Sequence, residues 1–145
     1  MTVHLIKLSV GSESIESLAE WQAMRMEQRR IAGEPVEHWH RTRMFPRRKA
    51  EVLDGGSIYW VIRGMVLVRQ RLVELRPFTD EDGISRCDLV LDPKLVPVRP
   101  VPRRPFQGWR YLEPEDAPPD LADDGAALTG IPERMRAELM ELGLI

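Results

Sequence analysis

Two apolar runs rich in Val, Ile, Tyr and Trp, residues 57–62 and 65–75, are separated only by Arg63-Gly64. That spacing predicts an antiparallel β-hairpin, with Gly55-Gly56 marking a turn just ahead of it. In the second arm Val66, Val68 and Gln70 alternate with Leu67, Arg69 and Arg71, so one face suits burial while the other carries guanidinium groups. A chain of 145 residues, 43% of them hydrophobic, has room for one core and no second independent domain. The rest of the chain must therefore be arranged around this hairpin.

Residues 3–10 read as a short strand broken by Gly11 and Ser12. Ser12 is expected to cap a helix running to about Ala32, with Glu13 and Glu16 in its first turn and Ile15, Leu18, Trp21 and Met24 down one side. Gly33 and Pro35 end it. Residues 87–91 read as another strand. Residues 95–106 read as extended, but prolines at 97, 100, 102 and 105 remove ladder donors and predict an edge strand or polyproline-like ribbon. Their P-x-x-P spacings also superficially fit a ligand for an SH3-type domain. Residues 113–124 are acidic and proline-containing, a strap by composition. Pro132 then opens a final helix with Met135, Leu139 and Leu142 on one face, expected to dock on the domain or on a second copy.

Charge is strongly segregated along the chain. From Arg25 to Arg110 there are 18 Lys/Arg against 11 Asp/Glu, and from Tyr111 onward 2 against 9. Such asymmetry points either to a basic surface for a polyanion or to neutralisation within the same molecule. No run approaches the roughly 18 apolar residues of a membrane span, and the N-terminus lacks the charged-then-apolar pattern of a signal peptide, so a cytoplasmic protein is expected.

Few residues point to catalysis. The single cysteine, Cys87, has no histidine near it in sequence and reads as a small strand residue. The T-D-E-D-G segment at 79–83 reads as a solvated turn, since Asp80, Glu81 and Asp82 are consecutive and cannot all face one ion without a purpose-built loop. In extended backbone His38 and His40 project to the same side, as two metal ligands must, but no third ligand is evident. The pair is expected to form a polar pocket that contacts phosphate or a base, with no metal and no other cofactor. There is no G-x-S-x-G, no Walker loop and no G-x-G-x-x-G after a strand, so an enzyme is expected only if its residues are scattered.

Arginines interleaved with aromatics are the stronger pattern. Arg41, Arg43, Arg47, Arg48, Arg103 and Arg104 are candidates to hold phosphates, and Trp39, Tyr59 and Trp109 to stack on bases. Trp60, inside an apolar strand, reads as core.

With these residues on the page the chain resembles an uncharacterised family of short bacterial proteins. Its layout is similar to the EVE and ASCH branches of the PUA-like fold. H-L-I-K-L opens a strand, S-I-E-S-L enters a helix, and W-H-R-T-R-M-F-P-R-R leads through a glycine turn to W-V-I-R-G-M-V-L-V-R-Q, which looks like the barrel hairpin. Trp39, Arg43, Arg48 and Gly56 stand at spacings comparable to the EVE pattern. The EVE Gly-Asp is Gly55-Gly56-Ser57 here, the asparagines near the arginines are missing, and the ASCH G-x-K-x-x-E-x-R pattern is absent. The resemblance covers roughly residues 1–112. It implies an α+β chain with a small mixed β-barrel and flanking helices; residues 113–145, outside the resemblance, are expected to form the acidic strap and C-terminal helix packed on the same domain. It also implies non-catalytic binding of RNA or a flipped or modified base in the cleft beside Trp39. Two alternatives stay open: an interaction or oligomerisation protein whose C-terminal helix and proline-rich edge dock a partner or a second copy, as in a homodimer through the C-terminal helix, and a small enzyme acting on a nucleotide or other phosphorylated metabolite. The enzyme predicts a deep pocket with a shifted histidine, the binding module an open arginine-lined groove.

Overall fold

The structure is a computed structural model, and it describes residues 1–121. The order is β1 (His4–Leu8), α1 (Ile15–Ile31), β2 (His38–Thr42), α2 (Lys49–Val52), β3 (Ser57–Ile62), β4 (Met65–Thr79), β5 (Ser85–Leu91), β6 (Val96–Pro102) and β7 (Trp109–Leu112), followed by a 3-10 turn at Pro114–Asp116. This is an α+β architecture with one seven-stranded sheet. Its path is β2-β5-β4-β3-β1-β7, with β6 pairing β4 off that path.

The hairpin forms where the spacing placed it. Arg63 (φ 51) and Gly64 (φ 78) both take positive φ, the two-residue turn whose twist matches the flanking strands. β3 pairs antiparallel with β4 on one side and parallel with β1 on the other, and all six of its residues are buried. Its alternation feeds two cores. Ile58, Trp60 and Ile62 join Leu5, Leu18, Val52 and Leu67 on the face under α1. Tyr59 and Val61 join Ile6, Val66, Val98 and Leu112 on the other.

β4 is long enough to hold different partners along its length. Residues up to Arg71 pair with β3, and from Leu72 onward the strand pairs with β5, the register shifting between Leu72 and Glu74. β6 takes the other edge of its first half.

The expected barrel does not close. β2 pairs only with β5 and β7 only with β1, which leaves both as open edges of the path. β6 could bridge only through the groups its prolines spare, and the strap takes two of them: Arg99 N–H donates to the Pro119 carbonyl at 2.9 Å, and the Pro97 carbonyl accepts from Leu121 N–H at 3.1 Å. Residues 113–121 thereby roof the second core, where Ala117 packs. The final helix expected from Pro132 onward lies outside the described residues.

α1 departs from expectation at its cap and on its buried side. Ser14, not Ser12, is the N-cap: its hydroxyl accepts from Ser17 N–H, and the Ser17 hydroxyl accepts from Ser14 N–H, both at 3.0 Å. The buried positions are Leu18 and Gln22, whereas Trp21 and Met24 are 43% and 52% exposed. A three-residue step falls about 60° short of a full turn, so the series 15, 18, 21, 24 winds round the helix away from the sheet. Among the described residues no helix is long and apolar enough to cross a membrane.

Gly56 is where two elements come closest. A Cβ there would lie 2.2 Å from the Val52 carbonyl oxygen and 2.5 Å from that of Val3, both backbone atoms. Gly56→Ala is expected to cost about 3 kcal/mol or more, seen as a large drop in the denaturation midpoint. An unchanged midpoint would show that the α2–β1 junction yields freely.

Candidate ligand pocket

A cavity of about 370 Å³ opens between α1 and the sheet. One wall is the continuous segment Lys7, Leu8, Ser9, Val10, Gly11 and Ser12, where β1 runs out and turns toward the helix. Gly11 makes that turn at φ +86, a conformation a side chain would resist. The lining is completed by Ser17, Leu18, Trp21 and Gln22 of α1, His38 and His40 of β2, and Trp60 of β3.

The period-two alternation of β2 sends His38 and His40 into this cavity together, as their spacing predicts. Trp39, between them, is half-buried on the opposite side, held between Arg29 and Arg41 whose guanidinium carbons lie 4.4 and 4.8 Å from its ring centre. His40 meets Trp60 edge-on at 5.3 Å and His38 meets Trp21 edge-on at 6.1 Å.

A buried polar lock fixes Trp60. Gln22 and Gln70 exchange amide hydrogen bonds, each 2.9 Å long, and the Trp60 indole N–H donates to the Gln70 carbonyl oxygen at 2.8 Å. The second Gln70 N–H donates to the Asp92 carbonyl at 3.1 Å. Gln70 is saturated by these contacts, while Gln22, at the cavity wall, retains one amide N–H outside the pair.

Electrostatically the cavity is uncharged imidazole beside one cation. Burial, then Arg29 and Arg25, push His38 down to about 4. Burial, then Lys7 and His38, push His40 down to about 4. Burial also lowers Lys7 below its ordinary value. At neutral pH each imidazole thus offers one donor and one acceptor rather than a charge.

The arginines expected to form a phosphate groove are not gathered into one. Arg41 bonds both carboxylate oxygens of Asp88, at 2.7 and 3.1 Å, and lies over Phe78 at 3.8 Å. Arg48 pairs with Glu51 of its own helix and, at 2.7 Å, with Glu113 of the strap. Arg69 pairs with Asp120 of the strap at 2.6 Å. The acidic segment therefore neutralises part of the basic one within the molecule. Arg43, Arg47, Arg103 and Arg104 are exposed and form no ion pair with a described residue; Arg103 lies over the Phe106 ring at 5.3 Å.

Two stacking assignments are corrected. Tyr59 (4% exposed) sits against His4 and the second core, and Trp109 (5% exposed) packs on Tyr111 and donates its indole N–H to the Met44 carbonyl at 2.9 Å. Neither presents a ring face to a base. Cys87 is a buried strand residue, as its sequence context suggests, and burial with Asp88 nearby raises its thiol to about 11, so it is no nucleophile at neutral pH. Sequence reasoning missed Lys7, Trp21 and Gln22 as pocket residues. A glutamine four residues after Leu18 on the buried side of the helix was the available signal.

Comparison with known proteins gives one match: residues 5–145 fit the model of a family described as "Protein of unknown function (DUF1489)". No curated protein and no solved structure matches the chain.

The histidines set an acid limit on folding. Both have folded pKa values below the ordinary 6.5, so the unfolded chain takes up protons first; stability is intact above about pH 6.5 and declines as pH falls toward 4. Each contributes on the order of 2 kcal/mol after discounting for partial exposure. Glu37, Glu51 and Asp80 are held below their ordinary 4.5 or 3.8, so their losses begin lower still. The denaturation midpoint should therefore fall between pH 6.5 and 4.5, with a shallower slope in His38→Gln. A flat profile over that window would contradict the placement of the imidazoles.

Proposed function

We propose that this chain, which belongs to the DUF1489 family of proteins of unknown function, is a non-catalytic module that binds a nucleobase presented outside a duplex, as in single-stranded RNA or at a flipped or modified base. The observation that carries the reading is the cavity itself, whose lining includes the partly exposed Trp21 and two imidazoles that stay uncharged at neutral pH, with the buried Trp60 also at its wall. Aromatic faces stack on any base, and neutral imidazoles with the spare Gln22 N–H supply the donors and acceptors that a base edge needs. Its volume is in the range of small-molecule sites. The similarity to EVE-type and ASCH-type PUA-like domains supports the same reading. The site is a pocket rather than the open groove expected beside Trp39, and phosphate contacts fall to the exposed Arg43, Arg47, Arg103 and Arg104.

A second reading has an observation of its own. A pocket holding two histidines with strongly lowered pKa values is what a small enzyme acting on a nucleotide or other phosphorylated metabolite would show. Imidazoles that protonate only near pH 4 are weak bases at neutral pH, which favours binding over proton transfer.

Trp21 lines the cavity and is 43% exposed, so its removal tests binding with little damage to the core. Trp21→Ala should weaken binding of mixed-sequence single-stranded RNA by about 1–3 kcal/mol, measured by fluorescence titration. Arg103→Ala/Arg104→Ala should instead lower the slope of log affinity against log salt by about 1.4. RNA that does not quench tryptophan fluorescence at any salt concentration would sink the reading.

A further inference from the structure

Of the thirteen residues that line the cavity, Lys7 is the one with a permanent charge, and none is acidic. Its ammonium is half-buried, burial alone accounts for its lowered pKa, and no carboxylate among the described residues pairs with it. A lysine that only filled space would turn its head to water, as long charged side chains at a surface do. Here it lines a cavity whose other residues carry no carboxylate, and its charge acts on His40 within that lining. Arg25 lies over the Trp21 ring at 5.4 Å, and both Arg25 and Arg29 act on His38. Glu13, next to Ser12 of the lip, is drawn off by Arg63 at 3.5 Å. An uncompensated cation in a partly dry cavity is a standing cost that an anionic ligand removes.

Two parts of the lining differ in chemistry. Lys7 belongs to the segment that continues through Ser9, Gly11 and Ser12, with hydroxyls and turn backbone to offer. The rest of the lining includes the rings of Trp21, His38 and His40.

We infer that the pocket takes a nucleotide rather than a bare base, with Lys7 and the lip at residues 9–12 receiving the phosphate while the ring lies along the aromatic wall. This rests on the base-binding reading above. The phosphate is either the monoester of a free mononucleotide or the diester of a strand entering the cavity.

The experiment is a calorimetric titration of the full chain with adenosine and uridine, their 5′-monophosphates, a short mixed-sequence RNA and orthophosphate, repeated with Lys7→Met and Lys7→Arg. The monophosphates should bind at least tenfold more tightly than the nucleosides. Lys7→Met should abolish that difference, and Lys7→Arg should keep most of it. Lys7→Met removes a desolvated charge and should not lower the denaturation midpoint. A merely structural lysine would weaken nucleoside and monophosphate alike, which would overturn the inference. Nucleosides that bind as tightly as their monophosphates would also overturn it, while leaving the base-binding reading intact. Lys7-dependent binding of the short RNA without that of the monophosphates would support the inference with a strand as the phosphate source. Lys7-dependent binding of orthophosphate with no preference for a base would uphold the anion site and sink the base-binding reading. No binding of any of the four classes of probe would overturn both.

Discussion

Backbone amides in a sheet have to be paired, and in this chain β4 is where most of that requirement is met. β3, β5 and β6 all bond to it, β3 and β6 on opposite edges of its first half and β5 along its second. Its fifteen residues let it leave one partner and take up the next. The transfer occurs around Leu72, where the Gly56 carbonyl and the Asp92 N–H close the gap between the ends of β3 and β5. Everything that shapes the cavity follows from this. β5 carries β2 and its two histidines, while β3 carries Trp60 and, beside it, β1 with Lys7. The two halves of the pocket hang on the two halves of one strand.

The same strand supplies Gln70, whose fully buried amide has to find partners or forfeit on the order of 1–3 kcal/mol. It finds Trp60 on the next strand, Gln22 on the helix and the Asp92 carbonyl. Such a network orients α1 more specifically than apolar contact could, since amide geometry tolerates little sliding. Holding the helix by one polar lock, Leu18 and the half-buried Ile15, rather than by a broad apolar stripe, leaves Ser17 and Trp21 to wall a cavity. Packing is given up where the cavity opens.

What could be read from the residues alone was whatever depended on neighbours in sequence. The hairpin, the extent of α1, the proline-laden β6 and the shared side of His38 and His40 all follow from spacing. What could not be read depended on which distant residues meet. Arg41, Arg48 and Arg69 look identical to Arg43 and Arg47 as letters, yet Asp88, Glu113 and Asp120 engage the first three across the fold. Tyr59 and Trp109 look as available as Trp39 until the sheet buries them. Lys7 carried no local signal, because a lone lysine in a strand ordinarily points to water. Barrel closure failed for the same kind of reason: on β6 the Arg99 N–H and the Pro97 carbonyl are taken by Pro119 and Leu121.

The one thiol of the chain lies at the centre of β5, fully buried and pushed well above its ordinary range. A thiol-modifying reagent can reach Cys87 only when β5 parts from β2 or β4, so the rate of its reaction clocks the opening of the strand that carries the histidine wall. A ligand seated in the cavity would slow that clock in proportion to its affinity, giving a probe of occupancy that needs no knowledge of what the occupant is.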